Sequence, residues 1–272
     1  MPLAFANFGQ PSGLLVYMDD VIACSATWEA HLKLLEDMFR ALQTAGLTLK
    51  PAKIHFGPKE VRYLGHVLSA DGIHMSEDRI KAIINLKTPS TIKELRSVLG
   101  TINFVRRFTP NLATVIEPLV ALTRKSVASL KTLRNHWGPR QDAAFIKVKE
   151  LLTSAPVLHF PRFHKPFIIH VDASDYGVGA FLAQKEDNGE LAIIAYFSKR
   201  FTSSQQHYSA TQKECLAVVL AVTHWRPYIW GRHFVCVTDH SALRDLYSMQ
   251  DTSNMLTRWA IALQSYLVRL YG

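Results

Sequence analysis

The sequence has few cysteines and no long run of apolar residues. Cys24, Cys215 and Cys236 are its three cysteines among 272 residues, and their wide spacing excludes a cysteine-based zinc motif and favours reduced thiols. No apolar segment reaches the roughly 20 residues that a membrane-spanning helix needs. The N-terminus also lacks the basic-then-apolar layout of a secretory signal. We therefore expect an intracellular protein, in the cytoplasm or nucleus, without membrane contact.

Acidic residues are scarce relative to basic ones. The chain has 31 Lys and Arg against 22 Asp and Glu, a net charge of +9. Such a surplus favours polyanionic partners, nucleic acid above all, because neutralising phosphates drives binding that does not depend on sequence. Hydrophobic residues make up 48% of the chain. This content supports folded cores, and the length suffices for two domains.

Two adjacent acids, Asp19 and Asp20, interrupt the apolar stretch LLVYMDDVIACS. Adjacent carboxylates repel each other, and burying an unpaired charge is unfavourable. Two interpretations are open: a tight turn between strands, where Asp is favoured locally, or a hairpin tip that binds a divalent cation. The stretch alone favours the turn.

Periodicity predicts a mixture of helices and strands in the first half of the chain. A helix is expected over about 28–45, and strands follow with an Asp71–Gly72 hairpin turn. Another helix should begin at Thr91, which forms a capping box with Glu94. A further helix is expected near 112–125, and the polar stretch 125–140 is the predicted domain linker.

The second half of the chain predicts an α/β domain. A helix over about 141–153 precedes the apolar strand PFIIHVDAS, and two more strands, GVGAFLAQ and LAIIAYFS, are joined by an Asn188–Gly189 turn. A helix over about 211–225 and a last strand, HFVCVTDH, follow. Strands and helices in this order favour a sheet covered by helices.

Three acids of this second domain occupy positions that could converge. Asp172 and Asp239 end two strands, and Glu214 falls in the first turn of the predicted helix. Each alone is an ordinary surface carboxylate, but together they indicate a site for Mg²⁺ or Mn²⁺, which prefer oxygen ligands. Two such ions about 4 Å apart are typical of phosphodiester hydrolysis. We expect the three carboxyl groups to lie within roughly 8 Å of one another, as a two-ion site requires.

Six motifs in order resemble the reverse transcriptase–RNase H region of LTR-retrotransposon Pol polyproteins, most closely the Ty3/gypsy group. They are VYMDDVIACS, VRYLGHVLSADGI, LRSVLGTINFVRRFTPNLATVIEPLVALTRK, FIIHVDASDYGVGAFLAQ, YSATQKECLAVVLAV and FVCVTDHSALRDL. The resemblance covers nearly the whole chain. It implies a palm remnant and helical thumb of α+β character, then an RNase H-like α/β domain with a mixed sheet. The implied boundaries are palm 1–75, thumb 76–125, connection 126–160 and RNase H-like domain 161–272.

The resemblance assigns roles to residues of the polymerase part and reverses the preference for a simple turn at Asp19 and Asp20. These two acids match the metal-binding aspartates of a palm hairpin. The resemblance places further residues against nucleic acid: beside the primer terminus, in a primer grip, and on a thumb helix that follows the duplex. These are Tyr17 and Met18, then Tyr63, Leu64 and Gly65, then Arg96, Gly100, Arg106 and Arg107. An ordinary solvated surface remains an equal alternative for Arg106 and Arg107.

In the second domain the resemblance implies that Asp172, Glu214 and Asp239 are RNase H acids holding Mg²⁺ or Mn²⁺. The implied partners are an RNA template, a DNA primer and an RNA·DNA hybrid. The implied activities are those of an RNA-directed DNA polymerase and a ribonuclease H.

The sequence departs from the family pattern in places. No acid precedes Asp19, although the family has a third palm aspartate upstream, and Leu3 and Ala4 replace residues of a nucleotide-contacting segment. Ile54 stands where the group often has cysteine. The family's fourth RNase H acid has no counterpart before the last residue. These departures predict a fragment that does not extend primers alone, unless a second subunit completes its palm.

Two other functions remain open from the sequence. One is a catalytically inactive relic that still binds nucleic acid by charge and shape. The other is a domesticated module without a nucleic-acid role. For hydrolysis the sequence predicts slow cleavage or none, since three acids are present and a fourth is not.

Overall fold

The computed structural model describes residues 13–123, 133, 135–154, 156–239 and 254–271. The chain divides into two compact units, Met1–Tyr63 and Leu64–Gly272. The nucleotide-contacting segment expected over 1–8 lies outside the described residues, as do residues 125–132 of the expected linker. In the described part of the chain, no helix combines the length and apolar character that crossing a bilayer requires.

The first unit is built from a hairpin, a long helix and a short strand. The hairpin pairs β1 (Leu14–Tyr17) with β2 (Asp20–Ala23) in antiparallel register. Helix α1 (Trp28–Thr44) begins after Thr27, whose hydroxyl accepts a bond from the N–H of Ala30. A 3₁₀ turn over Pro51–Lys53 and strand β3 (Val61–Tyr63) follow in the described part of the unit, residues 13–63. Its small core combines the hairpin and one face of α1, through Leu14, Leu34, Met38, Ala41 and Leu42.

The second unit opens with a hairpin and a group of helices, which begin in the range predicted as thumb, 76–125, and continue into the range predicted as connection. The hairpin pairs β4 (His66–Ser69) with β5 (Gly72–Met75). The helices are α2 (Glu77–Ile84), α3 (Ile92–Phe104), a 3₁₀ turn (Arg106–Phe108), α4 (Leu112–Val115), α5 (Glu117–Ala121) and α6 (Pro139–Thr153). Gly72 opens β5 instead of lying in the turn, so the predicted turn is shifted by one residue.

One local detail of the helical part agrees with the sequence prediction and another differs from it. Thr91 caps α3 as expected, by accepting from the N–H of Glu94, and the Glu94 carboxylate accepts in turn from the N–H and the hydroxyl of Ser90. The helix expected near 112–125 is broken into α4 and α5. Pro118 explains the break, because proline fits the first turn of a helix and disrupts an interior position.

The last part of the chain forms a five-stranded mixed sheet, as predicted. Its strands are β6 (Phe167–Ala173), β7 (Gly177–Lys185), β8 (Leu191–Arg200), β9 (His233–Thr238) and β10 (Leu267–Tyr271), in the order β10-β9-β6-β7-β8. The pairs β10–β9 and β9–β6 are parallel, and β6–β7 and β7–β8 are antiparallel. The Asn188–Gly189 turn is confirmed, with Gly189 at φ 89°.

Within the residues that the structure describes, four helices accompany this sheet. They are α7 (Ser203–Gln206), α8 (Ala210–His224), α9 (Arg226–Ile229) and α10 (Asn254–Gln264). Alternate residues of β6, Phe167, Ile169 and Val171, are buried in one core with α8. The opposite face of β6 therefore presents the even-numbered residues, among them His170 and Asp172.

The helical part is joined to the sheet by polar contacts that the sequence did not predict. The Arg106 guanidinium donates to the Ser198 carbonyl of β8, and the Ser198 hydroxyl accepts from the N–H of Ala113 at 3.1 Å. Arg200 and Glu117 form an ion pair at 3.3 Å in which both side chains are largely buried. Helix α6, in the expected connection, shares a core with helices α2 to α5. The helices and the sheet therefore belong to one unit.

Candidate metal centre

Three elements of the sheet domain bring three carboxylates to one point. Asp172 lies near the end of β6, and Asp239 directly follows β9. The parallel register pairs Val171 with Thr238, so both strand ends reach the same edge. Glu214 projects from α8, which covers β6. One oxygen from each of the three carboxylates lies within 4.8 Å of the others. The predicted convergence is therefore confirmed, although Glu214 is the fifth residue of α8 and lies in its second turn.

The three acids differ strongly in exposure. Asp172 and Asp239 are exposed, whereas Glu214 retains 8% of its accessible surface. Burial, together with the charges of Asp239 and Asp172, raises the pKa of Glu214 to about 7. Hydrogen bonds from the Ala173 N–H and the Thr238 hydroxyl oppose that shift. Without an ion, the Glu214 carboxyl group therefore gains or loses its proton near neutral pH, well above the usual range of a glutamate.

One atom of the cluster fits a cation directly. Glu214 Oε2 is buried and has no hydrogen-bond partner among the described residues. Buried acceptors are almost always paired, so an orphaned carboxylate oxygen beside two more carboxylates indicates a missing positive charge. The donor set consists of oxygens alone, which suits hard divalent cations such as Mg²⁺ and Mn²⁺.

A cleft of about 660 Å³ opens beside the acids on the face of the sheet opposite α8. Asp172 and Asp239 lie on its wall, and Pro110 and Asn111 of the helical part line it too. The other lining residues come from the sheet: His170, Val171, Gly179, Ala180, Phe181, Ile193, Tyr196, Val237 and Thr238. The aromatic residues of this wall were not among the residues predicted from the sequence. The available signal was strand alternation, since His170 and Asp172 are two residues apart on one strand and must share a face.

Asn111 contacts the strand position that pairs with Asp172. Gly179 of β7 lies opposite Asp172, and the Asn111 side-chain amide occupies the space that a Cβ on Gly179 would fill. Asn111 itself adopts a left-handed backbone conformation, with φ 46°. Glycine at 179 therefore allows the helical part to approach the sheet next to the metal-ligand candidates.

This contact predicts a specific pair of stability effects. Gly179→Ala should lower the free energy of unfolding by about 1 kcal/mol, because the new methyl group displaces the Asn111 amide. Combining it with Asn111→Gly should recover most of that loss, because glycine accepts the left-handed conformation without strain. Urea unfolding followed by circular dichroism of the two single variants and the double variant measures the coupling. Equal losses from Gly179→Ala in both backgrounds would contradict the assigned contact.

The paired acids of the first unit lie at a hairpin tip. Tyr17 pairs with Asp20 across the hairpin, so Met18 and Asp19 form a two-residue turn, and Met18 has φ 53°. Asp19 and Asp20 are both exposed, so neither carboxylate is a buried unpaired charge. In the described part of the chain, neither belongs to a group of three possible metal ligands.

The expected primer-grip residues form a tight turn. Tyr63 is partly buried, and Leu64 and Gly65 have φ values of 48° and 79°. A Cβ on Gly65 would lie 2.9 Å from the ring of Phe104, so packing alone already requires glycine here. Close approach of nucleic acid is therefore not needed to explain Gly65.

The expected thumb residues separate into two groups. Arg96 and Gly100 are exposed on one face of α3, four residues apart, with open space above Gly100. Arg106 is instead engaged by the Ser198 carbonyl. Arg107 is partly buried, and its Nε has no hydrogen-bond partner within the described residues. Arg96 is therefore the most available cation of this set for an external phosphate.

Comparisons with known proteins agree on the family. Residues 5–68 match the model for reverse transcriptase (RNA-dependent DNA polymerase), and residues 137–236 match that for the RNase H-like domain found in reverse transcriptase. The Tf2-3 transposon polyprotein of Schizosaccharomyces pombe is 33% identical over 259 residues, which cover 94% of this chain and 19% of the polyprotein. The retrovirus-related Pol polyprotein from transposon 297 of Drosophila melanogaster is 34% identical over 256 residues, covering 94% and 23%.

Solved structures share the fold. The foamy viral protease-reverse transcriptase dRH, in complex with double-stranded DNA, superimposes with a TM-score of 0.82 at 24% identity. The alignment covers 98% of this chain and 46% of the viral chain. The foamy viral protease-reverse transcriptase in complex with an RNA/DNA hybrid gives a TM-score of 0.79 at 24% identity, covering 98% and 36%.

The reverse transcriptase match includes the β1–β2 hairpin, and the RNase H-like match that follows it includes most of the sheet. The chain spans about a fifth of the length of the polyproteins that it matches. It belongs to the Ty3/gypsy-type LTR-retrotransposon Pol family, as a segment of its reverse transcriptase and RNase H-like domains.

Proposed function

We propose that the sheet domain hydrolyses the RNA strand of RNA·DNA hybrids with the help of divalent cations. The observation that carries this proposal is the convergence of Asp172, Glu214 and Asp239 within 4.8 Å, with an orphaned oxygen on Glu214. When bound, Mg²⁺ or Mn²⁺ would supply charge stabilisation and an activated water for phosphodiester hydrolysis. Family membership supports the same chemistry.

The protein's own residues would position the ions, and one of them, Glu214, would lose a proton when an ion binds. Asp172 and Asp239 are held at adjacent strand ends, so their carboxylates need little rearrangement to bind a shared ion. Glu214 must lose its proton to become a ligand, because only the carboxylate attracts a cation. The rate of hydrolysis should therefore increase as the pH rises through about 7, the pKa of Glu214 without an ion.

The first unit is proposed to derive from the part of a polymerase that acts on an RNA template and a DNA primer; the chain alone is not expected to extend a primer. Asp19 and Asp20 are metal-ligand candidates at the tip of the β1–β2 hairpin. Tyr17 and Met18, half or more exposed beside them, would contact the primer terminus. Complexes of foamy viral relatives of the same fold with double-stranded DNA and with an RNA/DNA hybrid support such substrates.

Nucleic-acid contacts beyond the two acid sites are proposed for the tight turn and for helix α3. The turn contributes Tyr63, Leu64 and Gly65, and α3 contributes Arg96 and Gly100. Arg107 is proposed only as a partly buried cation behind that surface, and Arg106 as a contact between thumb and sheet. Phosphate contacts of this kind position a duplex without reading its sequence. We retain the expected palm, thumb, connection and RNase H-like ranges as the proposed domain assignment.

The test is a cleavage assay on matched duplexes. A labelled RNA strand is paired either with DNA or with RNA, and each duplex is incubated with the purified chain and Mg²⁺ or Mn²⁺. We expect slow, metal-dependent cleavage of the hybrid alone, faster with Mn²⁺, whose geometric demands are looser. No cleavage with either ion, in a preparation that binds the hybrid, would contradict the proposal.

A further inference from the structure

Three aromatic side chains form a row across the face of the sheet that carries Asp172. His170 on β6, Phe181 on β7 and Tyr196 on β8 lie directly opposite one another in the strand register. The His170 and Phe181 rings stack at 4.5 Å with planes 13° apart, and Phe181 meets Tyr196 at 6.2 Å. Metal binding by the acids uses none of these rings, yet all three line the cleft beside the acids.

The row has an open end next to the metal-ligand candidates. One face of the His170 ring packs on Phe181, and on its other side the neighbouring residue is Val237 of β9. Valine is short and carries no ring, so it does not cover the second face of His170 as an aromatic side chain would, and both residues line the cleft. A planar group entering there would continue the stack by one step. Thr238 and Asp239, which follow Val237, also line the cleft.

The size and charge of the cleft select the kind of planar group. Its volume of about 660 Å³ falls within the range of small-molecule sites. Asp172 and Asp239 lie at one end, so a phosphate is acceptable there only when divalent cations neutralise the carboxylates. A molecule with an aromatic ring at one end and a phosphate at the other matches this arrangement, and a nucleotide has that form.

We propose that the cleft binds an unpaired nucleotide, with its base stacked on His170 above Val237 and its phosphate directed to cations at Asp172 and Asp239. The proposal rests on the proposed function, since it places part of the nucleic-acid substrate next to the hydrolytic site. Stacking on an aromatic surface tolerates every base, so the platform would not confer sequence preference. It would favour substrates with an unstacked nucleotide beside the cleaved bond.

The test uses 2-aminopurine riboside 5′-monophosphate, whose fluorescence is quenched when its ring stacks. The probe is titrated with the full chain in Ca²⁺ and in EDTA. We expect saturable quenching in Ca²⁺, and binding weaker in EDTA because the phosphate then faces unneutralised carboxylates. Val237→Phe should fill the open end of the row and weaken binding on the order of tenfold, the contribution of one base–aromatic stack.

Val235→Phe is the matched control, because Val235 lies on the same face of β9, two residues away, and does not line the cleft. This control should bind the probe as the parent chain does. His170→Ala, which removes the stacking partner without adding bulk, gives a second reading if Val237→Phe unfolds. Equal binding by the parent, Val237→Phe and His170→Ala would overturn the proposal. The absence of quenching would overturn it as well. That is the result expected if the cleft binds an apolar peptide instead of a nucleotide.

The result of the probe-binding test can be distinguished from the result of the hybrid-cleavage test. Hybrid cleavage that persists unchanged in Val237→Phe, together with unchanged probe binding, would reject the platform and retain the nuclease. Probe binding that is sensitive to Val237→Phe, in a chain that cleaves no hybrid, would retain the platform and reject the nuclease.

Discussion

Asp172→Asn and Glu214→Gln should each reduce cleavage of the RNA strand by on the order of 100-fold or more. Changing residues that only hydrogen-bond to metal ligands typically causes a smaller loss. Each substitution keeps the shape of the side chain and removes one negative charge from a cluster whose oxygens lie within 4.8 Å. Ion affinity at such a site depends on the summed ligand charge. The measurement is single-turnover cleavage of a labelled hybrid in Mn²⁺.

Asp175→Asn is the control for this experiment. Asp175 is an exposed aspartate three residues after Asp172, paired with Lys213 at 2.7 Å and outside the acid cluster. Its substitution should leave cleavage within about twofold, because Asp175 supplies no oxygen to the acid cluster. Hybrid affinity, measured by gel shift over a range of salt, should change little in all three variants. Cleavage that survives in Asp172→Asn would assign the activity to another site or to a contaminant.

Glu214→Gln should stabilise the ion-free protein above neutral pH by about 2 kcal/mol, allowing for partial screening of a shift worth about 1.4 kcal/mol per pKa unit. The pKa of Glu214 is raised from 4.5 to about 7 by burial and by its two acidic neighbours. Between these values the folded state keeps a proton that the unfolded state loses. The free energy of unfolding therefore falls as the pH rises from about 4.5 to 7, and the whole loss is present above pH 7. Glutamine carries no charge at any of these pH values, so the Glu214→Gln variant does not show this loss.

Urea unfolding in EDTA at pH 4, 6 and 8 measures this difference. We expect a small difference at pH 4 and the largest at pH 8. Adding Mn²⁺ should reverse the order at pH 8, because ion binding stabilises the parent chain by mass action and the variant binds the ion weakly. Glu150→Gln, the same change at an exposed position of α6, should show no such pH dependence. A Glu214→Gln variant that is less stable than the parent in EDTA at pH 8 would contradict the assigned pKa.

The sequence predicted the acid cluster because the required information is local. Asp172 and Asp239 each lie at the carboxyl end of an apolar strand, and the carboxyl ends of adjacent parallel strands meet at the same edge of a sheet. The Met18–Asp19 turn and the capping residue Thr91 are likewise set by a few adjacent residues. The shift of Glu214 from the first turn to the second follows from the helix beginning at Ala210, one residue earlier than expected.

The contacts between the helices and the sheet could not be predicted from the sequence. Arg106 resembled a nucleic-acid contact, but its partner, the Ser198 carbonyl, lies 92 residues further along the chain. Every residue has a carbonyl, so no side-chain pattern marks that acceptor. Asn111 and Gly179 are similarly distant, and each alone is consistent with an ordinary turn or strand. Only the folded arrangement places both beside Asp172.

The parallel pairing of β6 with β9 has a kinetic consequence. β6 is the first strand of its sheet in the chain, and β7, β8 and α8 must all be accommodated before β9 can pair with it. Closing long loops is entropically unfavourable, so nonlocal parallel pairs form late in folding. Hairpins such as β6–β7 and helices such as α8 form earlier from local contacts. When the denatured chain is refolded by dilution in stopped flow, far-ultraviolet circular dichroism should therefore recover before Mn²⁺ affinity, since Asp239 reaches Asp172 only when β9 joins.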